Sequence, residues 1–323
     1  MSALLKRCLK FIHMGLVLVE SKKYFRKIEE RIPSCFNCVK VSKQTIRDYE
    51  FNDDVVAIIC SRGLAKLIEG LSFPSCRLLQ LESVGHDDLD LSIFARKNIC
   101  VCNARSIYDD CLAEFVIFAM LLYAKRFHKS PKNWMSRPLR NYHYMTELAG
   151  KTVGIMGVGQ IGGAIARRLS MFGMRIYGYA KNTKNKDYFD EIYHKHDLNL
   201  FLSSCDFLVN VLPHDQSTIG LLDSNSLRYL KPSIVFINIG RDSVYVKKDF
   251  EVFMREHRDA VAFLDLFEPV PRYITNPLRR LSNVLIFPRI SAISTESDES
   301  IVSLIVDNVR RLSIDTSFIN RIS

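Results

Sequence analysis

Short apolar runs recur along the chain, separated by charged or amphipathic stretches. In the first third, residues 11–19, 55–60, 78–84 and 99–101 read as strands, and 22–32 and 64–71 as helices. That βαβ rhythm predicts an α/β fold with a parallel sheet. The rhythm resumes from Thr152, with strands predicted at 153–156, 175–179, 207–212, 234–238, 260–264 and 284–287. Strands with helices between them in this number fit a doubly wound sheet. Between the two blocks, 109–127 predicts a long helix bearing Leu112, Phe115, Val116, Ala119, Met120, Leu122 and Tyr123. It is apolar on more than one face, so burial inside the chain or against a second subunit is expected. Residues 129–146 read as a loop, and 300–312 as a last helix that returns to the first domain. The run 11–19 follows Lys6, Arg7 and Lys10 but contains His13, ends at Glu20 and lacks a small-residue cleavage site. It is too short to span a membrane and reads as a strand, so no membrane association is expected.

The most informative stretch is Thr152-Val153-Gly154-Ile155-Met156 running into Gly157-Val158-Gly159-Gln160-Ile161-Gly162. An amphipathic segment, 164–172, follows. Strand, glycine turn and helix form the context in which G-x-G-x-x-G points to dinucleotide binding. Gly157 permits the turn, Gly159 admits a pyrophosphate, and Gly162 lets the helix approach the strand. The helix N-terminus offers N–H groups and a positive dipole end.

Composition changes this picture little. The chain has 323 residues, enough for two domains, and 48% are hydrophobic. Nine cysteines include Cys35 and Cys38 at C-x-x-C spacing, but no second such pair exists, so no metal site is expected. Reduced thiols in a cytoplasmic protein are expected, with a redox role for Cys35 and Cys38 as the alternative. The net charge of +10 is scattered, without a nucleic-acid motif. Weak polyanion binding at low salt is expected, and no specific nucleic-acid partner.

Further motifs now fall in order. They are Ser83-Val84-Gly85-His86-Asp87, Leu112-Ala113-Glu114, the glycine turn, Leu212-Pro213 with Thr218, Ile237-Asn238-Ile239-Gly240-Arg241, Phe263-Leu264-Asp265 and Asn283 to Pro288. Taken together, the chain resembles the D-isomer-specific 2-hydroxyacid dehydrogenases over nearly its whole length. The resemblance implies two Rossmann/flavodoxin-like domains with parallel sheets and a cleft between them. The cofactor domain would be 104–290, inserted into a substrate domain of 1–103 and 291–323. It implies hydride transfer between a nicotinamide and a small anionic 2-oxo or 2-hydroxy acid, and a homodimer through the 109–127 helix. By the same resemblance, Gly157, Gly159, Gln160, Ile161, Gly162, Leu212, Pro213, Thr218, Ile239, Gly240 and Asp265 line the cofactor. Val84 and Gly85 hold the substrate carboxylate, together with Arg241.

The chain departs from the family at the reaction itself. Arg241 stands at the family's arginine, whose forked, permanent charge grips carboxylate and carbonyl. The family's carboxylate position is Val270, its histidine position directly after Pro288 is Arg289, and the glycine after the arginine is Asp242. An arginine is not a general acid near neutral pH. His86 is the substitute proton donor in the sequence, with a plain polar loop residue as the alternative. Arg241 with Arg289 would favour an anionic substrate, one with two acidic groups among them. The other reading is a pseudoenzyme that binds a nucleotide and signals or assembles. The cofactor stays open between NADP and NAD. The position after strand 175–179 is Ala180, with no carboxylate for the ribose, and Lys181 and Lys184 could face a 2′-phosphate.

Overall fold

The computed structural model describes residues 15–129, 145–181, 187–265 and 275–323. It divides into two compact units, Met1–Ile107 with Ser294–Ser323, and Tyr108–Ile293.

The first unit carries a parallel sheet of five strands: β1 (Gly15–Val19), β2 (Phe36–Lys40), β3 (Val55–Cys60), β4 (Leu78–Leu81) and β5 (Cys100–Cys102). Their order is β2-β1-β3-β4-β5. The central strands are Val, Ile and Leu runs buried on both faces, as a helix-covered parallel sheet demands. Helices α1 (Phe25–Arg31), α2 (Arg62–Ile68) and α3 (Leu91–Arg96) supply the crossovers. The observed α1 starts later than the predicted 22–32, α2 spans a shorter and earlier stretch than 64–71, and β4 stops at Leu81 rather than 84. There the chain turns into the 83–86 loop, whose Ser83 hydroxyl donates to Gly85 O at 3.0 Å. Of the predicted strand 11–19, residues 11–14 lie outside the described residues.

The second unit begins with α4 (Asp109–Ala124) and continues through β6 (Thr152–Met156), α5 (Gln160–Leu169), β7 (Arg175–Tyr179), β8 (Glu191–Tyr193), α6 (Leu198–Ser204) and β9 (Phe207–Asn210). It is completed by α7 (Ser224–Leu227), β10 (Val235–Asn238), α8 (Lys247–Glu256), β11 (Val261–Asp265) and β12 (Val284–Phe287). Its seven strands run in the order β12-β11-β10-β9-β6-β7-β8, and every pair is parallel. The order reverses between β6 and β9, the point where doubly wound sheets open a crevice at their C-terminal ends. Two cores flank the sheet. One centres on Phe201, Phe236, Phe250 and Tyr245. The other joins Ile155 and Ile165 to Ala113, Val116 and Met120 of α4. That helix is therefore buried inside its own unit, while Phe118 on its outer side remains 48% exposed.

The last helix, α9 (Thr295–Ile314), belongs to the first unit. Its buried Asn308 donates to Gln80 Oε1 of β4 at 2.6 Å, a bond that satisfies two polar groups in an otherwise apolar layer. Ser294 caps it through the backbone N–H of Ser297 at 2.9 Å. Among the described residues no helix is long and apolar enough to cross a membrane, and no group of His, Cys, Asp and Glu could hold a metal ion. Burial pushes the Cys38 thiol up to about 12, which works against a thiolate role for that residue.

Candidate active site

The glycine turn leaves β6 at the switch point. Gly157 adopts φ +114°, a conformation side chains rarely accept. A Cβ at Gly162 would collide with the carbonyl oxygen of Gly157, so this glycine is what allows α5 to begin against the strand. Gly159 is different. A Cβ there would meet nothing within 4 Å, so the fold leaves open space above it. Gly159 is also the N-cap of α5, and no side chain caps that helix or places an acid in its first turn. α1, α4, α6 and α8 share that lack of a side-chain cap, whereas α2, α3, α7 and α9 are capped by Ser61, Asp90, Asp223 and Ser294. Exposed Gln160 and half-buried Ile161 open the helix. A dinucleotide pyrophosphate fits this cradle: open space, uncapped N–H donors and the positive end of a helix.

Across the switch point, β9 leads into Leu212 and Pro213. The Thr218 hydroxyl donates to Pro213 O at 2.6 Å and accepts from Asp215 N at 3.0 Å, so this buried side chain ties the 213–218 loop to itself. Lys181, exposed beyond the end of β7, lies 3.8 Å from Asp215 Oδ1. The Asp215 carboxyl is held below its usual range, first by the Ser217 hydroxyl and only later in rank by Lys181. Ala180 supplies its carbonyl to His194 Nδ1 at 2.8 Å. The predicted companion Lys184 lies outside the described residues.

The next strand end carries a feature that sequence reasoning missed. Asn210 and Asn238, the last residues of β9 and β10, are fully buried and paired, Asn210 Nδ2 donating to Asn238 Oδ1 at 2.8 Å. Both amides also donate to the carbonyl of Arg241, each at 3.3 Å. Asn238 Oδ1 accepts from Gly240 N at 3.0 Å, and Asn210 Oδ1 from Leu212 N at 3.2 Å. The pair thus fixes the Ile239-Gly240-Arg241 loop and the start of the Leu212 loop together. A polar residue closing an otherwise apolar strand was the available signal. Asp242 forms an ion pair with Lys247 at 3.0 Å.

Asp265 ends β11 and is buried. Its carboxylate accepts from Ile290 N at 2.8 Å, from Ser291 N at 3.3 Å and from the Ser291 hydroxyl. Both oxygens therefore hold the chain that follows β12. Arg289, immediately before, is exposed and sits at φ +53°. Val270 lies outside the described residues.

In the first unit, Val84 O accepts from the buried Asn103 amide at 2.8 Å and lies 3.3 Å from His86 Nδ1. The 83–86 loop is thereby tied to the end of β5, and His86 keeps Nε2 for another contact.

Comparison with known proteins follows this geometry. Residues 117–291 match the family model described as D-isomer specific 2-hydroxyacid dehydrogenase, NAD binding domain. The chain is 29% identical to the glyoxylate reductase of Pyrococcus furiosus over 83% of this chain and 82% of that protein. It is 30% identical to the glyoxylate reductase of Thermococcus kodakarensis over 73% of each. Among solved structures it is similar to an NADPH-dependent glyoxylate/hydroxypyruvate reductase from Sinorhizobium meliloti, at TM-score 0.80 and 26% identity, covering 96% of this chain and 98% of that one.

Proposed function

The chain belongs to the D-isomer-specific 2-hydroxyacid dehydrogenase family, and from that premise we propose that it reduces a small 2-oxo acid with a slowed proton-transfer step. NAD or NADP is the cofactor of this fold. When bound, it supplies the hydride: R–CO–COO⁻ + NAD(P)H + H⁺ gives R–CHOH–COO⁻ + NAD(P)⁺. The observation that carries the reading is the uncapped, open glycine turn at Gly159 on the same sheet edge as a backbone-clamped Arg241.

In this reading the N–H groups opening α5 hold the pyrophosphate, and Leu212, Pro213, Ile239 and Gly240 line the cofactor. Thr218 shapes that lining from within its loop rather than by contact. Arg241 grips the substrate carboxylate and stabilises the oxygen as it gains charge. Val84 and Gly85 present the substrate loop, and His86 supplies the proton. Neither Arg289 nor Val270 can replace the family's acid and its carboxylate partner, so turnover falls by roughly 10²–10⁴ from what a matched general acid gives. The first unit takes the substrate role and the second the cofactor role, and two copies pair through the outer side of α4, where Phe118 is exposed.

The changes at 270 and 289 favour one second reading, a nucleotide-binding protein without turnover. Single-turnover oxidation of bound NADH or NADPH by glyoxylate and hydroxypyruvate separates the two. Slow oxidation abolished by Arg241→Met supports the enzyme. Saturable nucleotide binding with no oxidation over hours leaves the sensor.

A further inference from the structure

Two arginines leave the same sheet edge on either side of one strand. β10 and β12 both pair with β11, with Asn238 opposite Leu264 and Asp265 opposite Phe287. Arg241 follows β10 and Arg289 follows β12, so their chains emerge two strand spacings apart, about 10 Å. Asp265 stands between them at the end of β11.

Neither backbone is left loose. The carbonyl of Arg241 is held by both buried asparagines. Arg289 is held in the left-handed region at φ +53°, where a long side chain is uncommon. What keeps it there is the next two residues, whose N–H groups and the Ser291 hydroxyl are taken by the buried Asp265. Asp265 therefore acts on Arg289 as a positioning residue, through the chain that follows it. Two permanent, forked cations follow the strand ends on either side of β11, on fixed backbone, and the guanidinium geometry of each matches a carboxylate.

Resting on the function proposed above, we infer that the substrate is a 2-oxo dicarboxylate: Arg241 takes the 2-oxo carboxylate and Arg289 the distal one. The residue at the family's proton-donor position has become a determinant of substrate charge. The strand ends that feed them lie about 10 Å apart, a span two arginine side chains can cover around a ligand with two or three carbons between its carboxylates.

The test uses a matched pair of acids, 2-oxoglutarate and 2-oxopentanoate, which have equal chain length and differ in the distal carboxylate. Each is titrated calorimetrically into protein saturated with NADH or NADPH, at physiological salt. The wild type is expected to bind 2-oxoglutarate at least tenfold more tightly. Arg289→Met should erase that preference and leave 2-oxopentanoate unchanged, whereas Arg241→Met should weaken both acids. Asp265→Asn should reduce the preference with Arg289 still present, an effect a merely structural aspartate would not have on the ratio. Equal binding of the two acids by wild type, binding of neither, or a preference that survives Arg289→Met overturns the inference while nucleotide binding still supports the function above. Failure to bind either nucleotide overturns both.

Discussion

The two sides of the switch point on the second unit's sheet edge make opposite use of their loops. After β6, the turn keeps open space: nothing meets a Cβ at Gly159, and no side chain caps α5. After β10 and β12, the segments are held by side chains that bind backbone, Asn210 and Asn238 on Arg241 and Asp265 on residues 290–291. The first region has the family's residues and the geometry to admit a phosphate. The second holds the family's arginine in place and changes what surrounds it. On the function proposed above, this arrangement separates binding from chemistry, and each half can be broken without the other.

The largest effect is expected at Gly162. Gly162→Val drives a side chain into the Gly157 carbonyl, so it should lower stability by about 3 kcal/mol, read by denaturant unfolding, and abolish nucleotide binding. Gly159→Ala sharpens the contrast. The fold has room for the methyl, so unfolding should be unchanged while nucleotide affinity falls about tenfold or more. At the other end, Arg241→Met should cost about 100-fold in turnover with nucleotide affinity intact. Asn238→Ala leaves buried partners of Asn210, Gly240 and Arg241 unmet, at about 2 kcal/mol of stability, and turnover should fall with it. With glyoxylate, which has no distal carboxylate to lose, a gain is expected from the double change Arg289→His with Val270→Glu, on the order of tenfold in turnover.

Much of this was legible in the sequence. The β6 turn and α5 announced themselves, because local glycine spacing and an apolar run need no tertiary information. Edge strands did not. β8 is three residues long and begins on a glutamate, and β2, Phe-Asn-Cys-Val-Lys at the edge of its sheet, has only its first residue buried, so neither looks like the buried runs beside it. The Asn210 and Asn238 pair was hidden for another reason: two residues far apart in sequence become partners only when β9 and β10 are neighbours. The resemblance implies a cofactor contact for Asp265, and only the fold reveals that both its oxygens hold residues 290–291.

The smallest expected effect lies outside this edge, in the first unit. Burial pushes the Glu82 carboxyl up to about 7, with Glu20 adding to the shift and the Ser21 hydroxyl opposing it. The folded state therefore retains a proton that the unfolded chain releases near 4.5. The stability this provides is full below about 4.5 and is lost as the pH rises through about 7. Glu82→Gln should be less sensitive, gaining about 1–2 kcal/mol on the wild type between pH 4 and pH 8 in denaturant titrations.

The central claim is that the nucleotide half works whatever has happened to the chemistry. Calorimetric titration of the purified protein with NADH and NADPH tests it most directly. The account predicts saturable binding of at least one, one per chain, in the micromolar range. Absence of saturable binding of either up to millimolar concentration would contradict it, and would mean that the open turn at Gly159 is a shape without a ligand.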